Sequence, residues 1–305
     1  MWSNPVMQSV EAFAGRSISL PGCEQPLFVA DFAQPPLREK PLQVLLIHGL
    51  GGAHVNWLPL GQRLADRARA WAVDLSGHGR TPWLGSSTIE RQVDLVVALL
   101  QQEATQPVVL VGNSMGGLIA LRAAAARPDL VSSLLLLSPM IPQPPFTPLD
   151  PDTARMLLPA VPWIGPWLYR RRLAKLGPLG LVEWLLQLIA AKPDRIEAAV
   201  QQAHRDLALE RANQPWAIPA FVQAVRSCLG TVLRAGAYFT SVAGVNHPTH
   251  IVHGERDRVV PLRAAQWVAK RRPDWTLEVL PGLGHVPMLE APDLVCERVL
   301  QRVTG

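Results

Sequence analysis

Residues 108–117 read VVLVGNSMGG. Four apolar residues, three of them β-branched, form the kind of run that a strand covered on both faces requires. They lead without a break into a serine set between small residues. Residues 115–127 then carry an alanine-rich apolar pattern suited to a helix. The stretch therefore predicts strand, tight turn and helix, with Ser114 at the apex of the turn. G-x-S-x-G alone is short enough to arise by chance, and its strand-turn-helix setting gives it weight. The glycines allow neighbouring chain to come close to a strained backbone, and the helix start offers amides to developing negative charge. Ser114 is thus a candidate nucleophile. A serine capping the helix is the plainer alternative, but a cap needs no glycine on both sides.

The same alternation of strand and helix extends outward from this turn. Residues 43–48 (QVLLIH) read as the first buried central strand, after weaker strands near 17–20 and 27–32 and before strands at 69–73, 108–111 and 134–137. Helical patterns fall at 57–65, 88–103 and 115–127, so the order is that of βαβ units and a mostly parallel sheet. From residue 138 the texture changes: Pro139, Pro142, Pro144, Pro145, Pro148 and Pro151 argue against regular structure there. Residues 139–245 read as helical segments broken by Pro and Gly. Strand patterns resume at 249–253 and 276–280, with helices at about 261–271 and 291–303. The expected organisation is an α/β core formed by 1–138 and 246–305, interrupted by a helical cap over 139–245.

Composition bounds the reading. Of the 305 residues, 49% are hydrophobic and 17% charged, enough to bury one large core. Only Cys23, Cys228 and Cys296 occur, without CxxC spacing, so a disulfide framework or paired-cysteine metal site is not expected, and a reducing compartment is. The first residues lack a basic start followed by an apolar run, and no stretch has roughly 18 uninterrupted apolar residues. A soluble, cytoplasmic protein is expected. The formal charge of +5 is carried by scattered arginines, with only Arg170, Arg171 and Arg172 adjacent, which argues against a nucleic-acid partner. That triplet lies between the tryptophan-containing stretches MLLPAVPWIGPWLY and LVEWLLQLIAA, so a weak contact of the cap with a membrane surface is an expectation. No pattern specifies an oligomeric state.

A serine hydroxyl attacks only when a base takes its proton, and that base needs a group to orient it. His285, in LPGLGHVPMLEAP after the 276–280 strand, sits on a loop able to reach over the end of the sheet. His48, His78 and His253 read as hydrogen-bonded strand-end or loop residues, and His54, His204, His247 and His250 have no distinguishing context. Asp257, in HGERDRVVP after the 249–253 strand, is the candidate acid and gives the chain order Ser114, Asp257, His285. Glu255 is its nearest rival. Asp74 precedes the serine and reads as a residue holding a turn, a role open to Asp257 as well. The other seat for such an acid, after the strand that follows the nucleophile helix, is occupied by Ser138. For the oxyanion of acyl transfer, the Gly-rich loop His48-Gly49-Leu50-Gly51-Gly52 can turn the Leu50 amide inward to pair with that of Met115. No phosphate-loop pattern and no metal-ligand spacing is present, so neither metal nor cofactor is expected.

HGLGG, DLSGHGRT, GNSMGG, HGERDRVVP and GLGHVPMLEAP, in this order and spacing, resemble the α/β-hydrolase superfamily over about 42–138 and 248–303. The resemblance implies a doubly wound, mainly parallel eight-stranded sheet, a helical lid after the sixth strand, and a triad at Ser114, Asp257 and His285. A serine at the elbow sets aside epoxide hydrolases and haloalkane dehalogenases, which use aspartate there. GNSMGG also resembles the elbow of meta-cleavage-product hydrolases, which cleave a C–C bond of a vinylogous diketone. Those enzymes usually carry Trp directly after the catalytic histidine, where this chain has Val286. The reading favoured is a carboxylesterase or lipase-like enzyme acting on an apolar or aromatic small-molecule ester. Trp163, Trp167 and Trp184 of the cap are candidates to line its pocket or to pack the cap's own core. A ligand-binding protein on the same fold, with negligible turnover, is the alternative of a different class.

Overall fold

The computed structural model describes residues 15–34, 41–148, 151, 161 and 164–301. Its eight strands are β1 (Gly15–Ile18), β2 (Leu27–Asp31), β3 (Leu42–Ile47), β4 (Ala68–Val73), β5 (Val108–Asn113), β6 (Val131–Leu137), β7 (Thr249–Gly254) and β8 (Thr276–Leu280). They form one sheet in the order β1-β2-β4-β3-β5-β6-β7-β8. β1 and β2 pair antiparallel with each other, as do β2 and β4, and all remaining pairs are parallel. The mostly parallel sheet is as the strand and helix pattern implied, and its doubly wound, eight-stranded form is as the family resemblance implied.

The apolar runs explain why both faces are covered. Side chains alternate across a strand, so Leu45, Ile47 and Leu110 enter one core layer while Val44, Leu46, Val109 and Val111 enter the other. Against the first layer pack α2 (Ile89–Glu103), α3 (Met115–Ala126) and α8 (Leu262–Arg271). Against the second pack α1 (Leu58–Leu64), the short α9 (Pro287–Glu290) and α10 (Pro292–Leu300). Thr88 caps α2, its side chain accepting from the Arg91 amide. Boundaries moved in places. β5 continues two residues past the expected end to reach Asn113, and the pattern at 57–65 divides into a 3-10 turn over His54–Trp57 and then α1, with Pro59 in the first turn of α1.

The chain leaves the sheet after β6 and returns at β7. Residues 139–148, where prolines cluster, hold neither helix nor strand. The described elements that follow are helical: α4 (Ile164–Ile189), broken at Gly177 (φ 67°) ahead of Pro178, then α5 (Ala198–Arg211), α6 (Ala217–Val232) and α7 (Ala235–Ser241). No described helix is long and apolar enough to cross a membrane. Parallel strands bring their C-terminal ends to one edge of the sheet, where the loops after β3, β5, β7 and β8 meet this helical insertion.

Candidate active site

Ser114 stands between β5 and α3 with φ 53° and ψ −118°, a conformation that L-residues rarely adopt and that costs roughly 1–3 kcal/mol. The surroundings hold it there. Its amide donates to the Leu137 carbonyl (3.1 Å), and its own carbonyl accepts from Gly117 (3.0 Å) and Met140 (2.8 Å). The turn also needs bare backbone at Gly116, where a Cβ would lie 2.0 Å from the Ile47 carbonyl oxygen. The Ser114 side chain makes no capping hydrogen bond to the helix, so the plainer reading of this residue does not apply.

His285 arrives from the loop after β8. Its amide donates to the Ile189 carbonyl at the end of α4 (2.7 Å), and its carbonyl accepts from Asn113 Nδ2 (3.0 Å), which also donates to Leu137 (3.0 Å). His285 Nδ1 lies 2.8 Å from Asp257 Oδ2. The other oxygen of Asp257 accepts from the amides of Val259 (2.8 Å) and Val260 (2.9 Å). Burial works to raise the pKa of this carboxyl, but the charge and hydrogen bond of His285, the charge of His253 and the Val260 amide together hold it below the usual carboxylate range. Asp257 is therefore an ion facing an imidazole. Glu255 is occupied elsewhere, accepting from the Gly282 amide (3.0 Å).

The remaining histidines have structural partners. His48 Nε2 accepts from the Leu75 amide (3.0 Å), which leaves Nδ1–H to donate to Gly49 (2.7 Å); burial lowers its pKa to about 4. His78 donates through Nδ1 to Ser76 (3.0 Å), and burial lowers its pKa to about 3. His253 donates to the Val260 carbonyl (2.8 Å). Asp74 holds a turn, accepting from the His54 ring (2.8 Å) and from the amides of His54 (2.5 Å) and Arg80 (2.8 Å). That pairing gives His54 a context its sequence neighbours did not show.

Ser114 and His285 open onto one cavity of about 560 Å³, bounded on the core side by Gly49, Leu50 and Asn113 and on the other by α4, α5 and α6. Among the described residues no acceptor is found for the Leu50 amide outside helices and strands. Met115 is the first residue of α3, a position whose N–H has no partner within its own helix. Trp184 lines the cavity. Trp167 does not: it is 55% exposed beneath the Arg171 guanidinium, because a helix turns about 200° between it and the cavity-lining Tyr169. Trp163 lies outside the described residues.

Two supports went unnoticed in the sequence. Asn113 ties the elbow to the His285 loop, although it stands beside the serine in the motif already quoted. Glu290 is buried and accepts from the amides of Ala191 (3.0 Å), Lys192 (3.0 Å) and Gly284 (2.7 Å), joining the His285 loop to the helical insertion. A glutamate three residues after a proline gives no sign of this, since its partners are backbone amides distant in sequence.

Comparison with known proteins bears on the family and the fold. The profile of the Alpha/beta hydrolase family matches residues 44–298. The pimeloyl-[acyl-carrier protein] methyl ester esterase of Aromatoleum aromaticum is 30% identical over 257 residues, covering 82% of this chain and 93% of that protein. Lipase LipV of Mycobacterium tuberculosis is 45% identical over a shorter stretch of 101 residues, 33% of this chain and 38% of that one. Among solved structures, Cfl2 of Burkholderia cenocepacia superposes with a TM-score of 0.76 at 20% identity, covering 95% of both chains, which shows the shared fold. The chain belongs to the alpha/beta hydrolase family.

Proposed function

We propose that the protein is a serine hydrolase of the carboxylesterase kind, cleaving an ester of an apolar or aromatic small molecule through an acyl-enzyme. The observation that carries this reading is the strained, buried Ser114 opening onto the same apolar cavity as His285, with His285 paired to an ionised, buried Asp257. In the sequence of steps, Ser114 Oγ attacks the scissile carbonyl while His285 Nε2 takes the hydroxyl proton. Asp257 holds the imidazole in the tautomer with Nδ1 protonated and stabilises the imidazolium. The Leu50 and Met115 amides face the oxyanion as charge develops on it. His285 then returns the proton to the leaving alcohol, and a water activated by the same imidazole cleaves the acyl-enzyme and restores Ser114. The insertion over 139–245 acts as a cap, excluding water and shaping the acyl pocket. The named relatives, esterases and lipases, support this class of bond.

Ser114→Ala tests it. The variant is expected to lose hydrolysis of short p-nitrophenyl esters and labelling by a fluorophosphonate probe while melting at the wild-type temperature. Undiminished labelling would overturn the assignment.

A further inference from the structure

The cavity is lined by two arginines, Arg172 and Arg211, and among the described residues by no aspartate or glutamate. Arg211 ends α5 on the face that presents His204, Leu207 and Ala208 to the cavity at one-turn spacing. Other arginines of the chain are matched by carboxylates: Arg80 by Glu210, Arg63 by Asp293, Arg298 by Glu278. Arg211 has no such partner among the described residues. Its Nη2 donates to the Gly77 carbonyl (3.0 Å), its buried Nε has no hydrogen-bond partner, and the Trp216 ring lies 5.6 Å from its guanidinium carbon.

A largely buried arginine with no carboxylate against it bears a desolvation cost that the Gly77 carbonyl and the more distant Asp74 offset only in part. Burial accordingly depresses its pKa, against the field of Asp74. Arg172, stacked 4.3 Å over Trp184, and Arg211 both act on the sheltered Tyr169 hydroxyl, whose pKa burial raises and the two guanidinium charges lower. One wall of a mainly apolar pocket is thus positive and incompletely satisfied. Guanidinium groups bind planar, two-oxygen anions best, and a single charge suits a cavity with so much apolar surface.

Resting on the reading of Ser114 as nucleophile, we propose that the cavity holds an anion subsite formed by Arg211, Arg172 and Tyr169. The substrate is then an ester that carries a second, ionised carboxyl group. This narrows the apolar ester of the preceding reading to an amphiphilic one, its chain against the α4 leucines and its carboxylate at Arg211.

Two matched pairs of esters test the subsite: p-nitrophenyl hydrogen suberate against p-nitrophenyl octanoate, and 6-acetoxyhexanoate against hexyl acetate. The pairs place the carboxylate on the acyl and the alcohol side respectively. Wild-type enzyme is expected to favour the anionic member of one pair in kcat/KM. Arg211→Met should reduce that preference roughly ten- to hundredfold, the range of a charge-assisted hydrogen bond, and Arg211→Lys should restore part of it. Tyr169→Phe gives a second reading should Arg211→Met fail to fold. Equal use of both members in both pairs overturns the subsite while leaving ester hydrolysis intact. If no ester is cleaved, the hydrolase reading fails, and calorimetric binding of suberate still decides the subsite: binding lost in Arg211→Met supports it, and no binding to wild type overturns it.

Discussion

Replacing Asp257 by Asn is a demanding perturbation of the proposed mechanism, because the surroundings dictate how the new amide must sit. One carboxylate oxygen accepts two backbone N–H groups, from Val259 and Val260, at 2.8 and 2.9 Å. An NH2 group there would face two donors, so the Asn oxygen takes that place and its NH2 turns toward His285, now 2.8 Å from the former Oδ2. His285 Nδ1 must then accept, which puts the ring proton on Nε2. That nitrogen can no longer take a proton from Ser114. Triads deprived of their acid in this manner lose about 10⁴ in kcat, or about 5.4 kcal/mol at 1.36 kcal/mol per decade. Steady-state hydrolysis of p-nitrophenyl acetate, with a melting curve to show retained fold, measures the loss. Activity within tenfold of wild type would refute the assignment of Asp257, and the argument from its two amide contacts with it.

Two further outcomes are expected. Glu290→Gln places an NH2 group against one set of the amides that Glu290 now satisfies, so it should destabilise the fold by roughly 1.5–3 kcal/mol in urea unfolding and lower kcat through the Gly284–His285 loop; unchanged stability and turnover would remove its supporting role. Stability should also fall as pH drops below about 6.5, the value for His in the unfolded chain, because buried His48 and His78 resist protonation down to about 4 and about 3. Both stay neutral in the folded protein above those values, so around pH 5 these two residues alone make unfolding take up close to two protons, a slope of roughly 2–3 kcal/mol per pH unit; His204 and His253, whose pKa values burial also lowers, act in the same direction. The depressed carboxylates Asp74 and Asp257 contribute only at lower pH, below their ordinary range near 3.8. A urea midpoint that stays flat from pH 7 to 4.5 would contradict the buried, neutral state of these histidines.

The core was legible because its constraints are local and repeated. Residues 43–48 and 108–111 need only period and composition to declare buried parallel strands, and Ser114 needs only its flanking glycines and the helix behind it. Asp257 was reached through its position past the end of β7, the chain order and the serine in the rival seat, and its distinction from Glu255 rests on contacts with His285 and two backbone amides that no spacing announces. Where function depends on contacts between distant segments, the pattern is silent. Asn113 and Glu290 act on backbone groups, which carry no sequence signature, and His54 gains its meaning only when Asp74 folds against it.

The insertion shows the same limit from the other side. Its tryptophans drew notice by residue type, yet type does not say which face of a helix meets the cavity. Trp184 lies on that face, stacked with Arg172, while Trp167 on the same element stands in water. Arg211 drew no notice, since one arginine among many has no signature until its neighbours are known. What distinguishes it is the missing partner: Glu210, the acid beside it in sequence, pairs with Arg80, so the cation is left to the cavity. The proposed attacking apparatus is therefore written in motifs, whereas the proposed preference for an anionic ester rests on which side chains the helical insertion leaves unpaired.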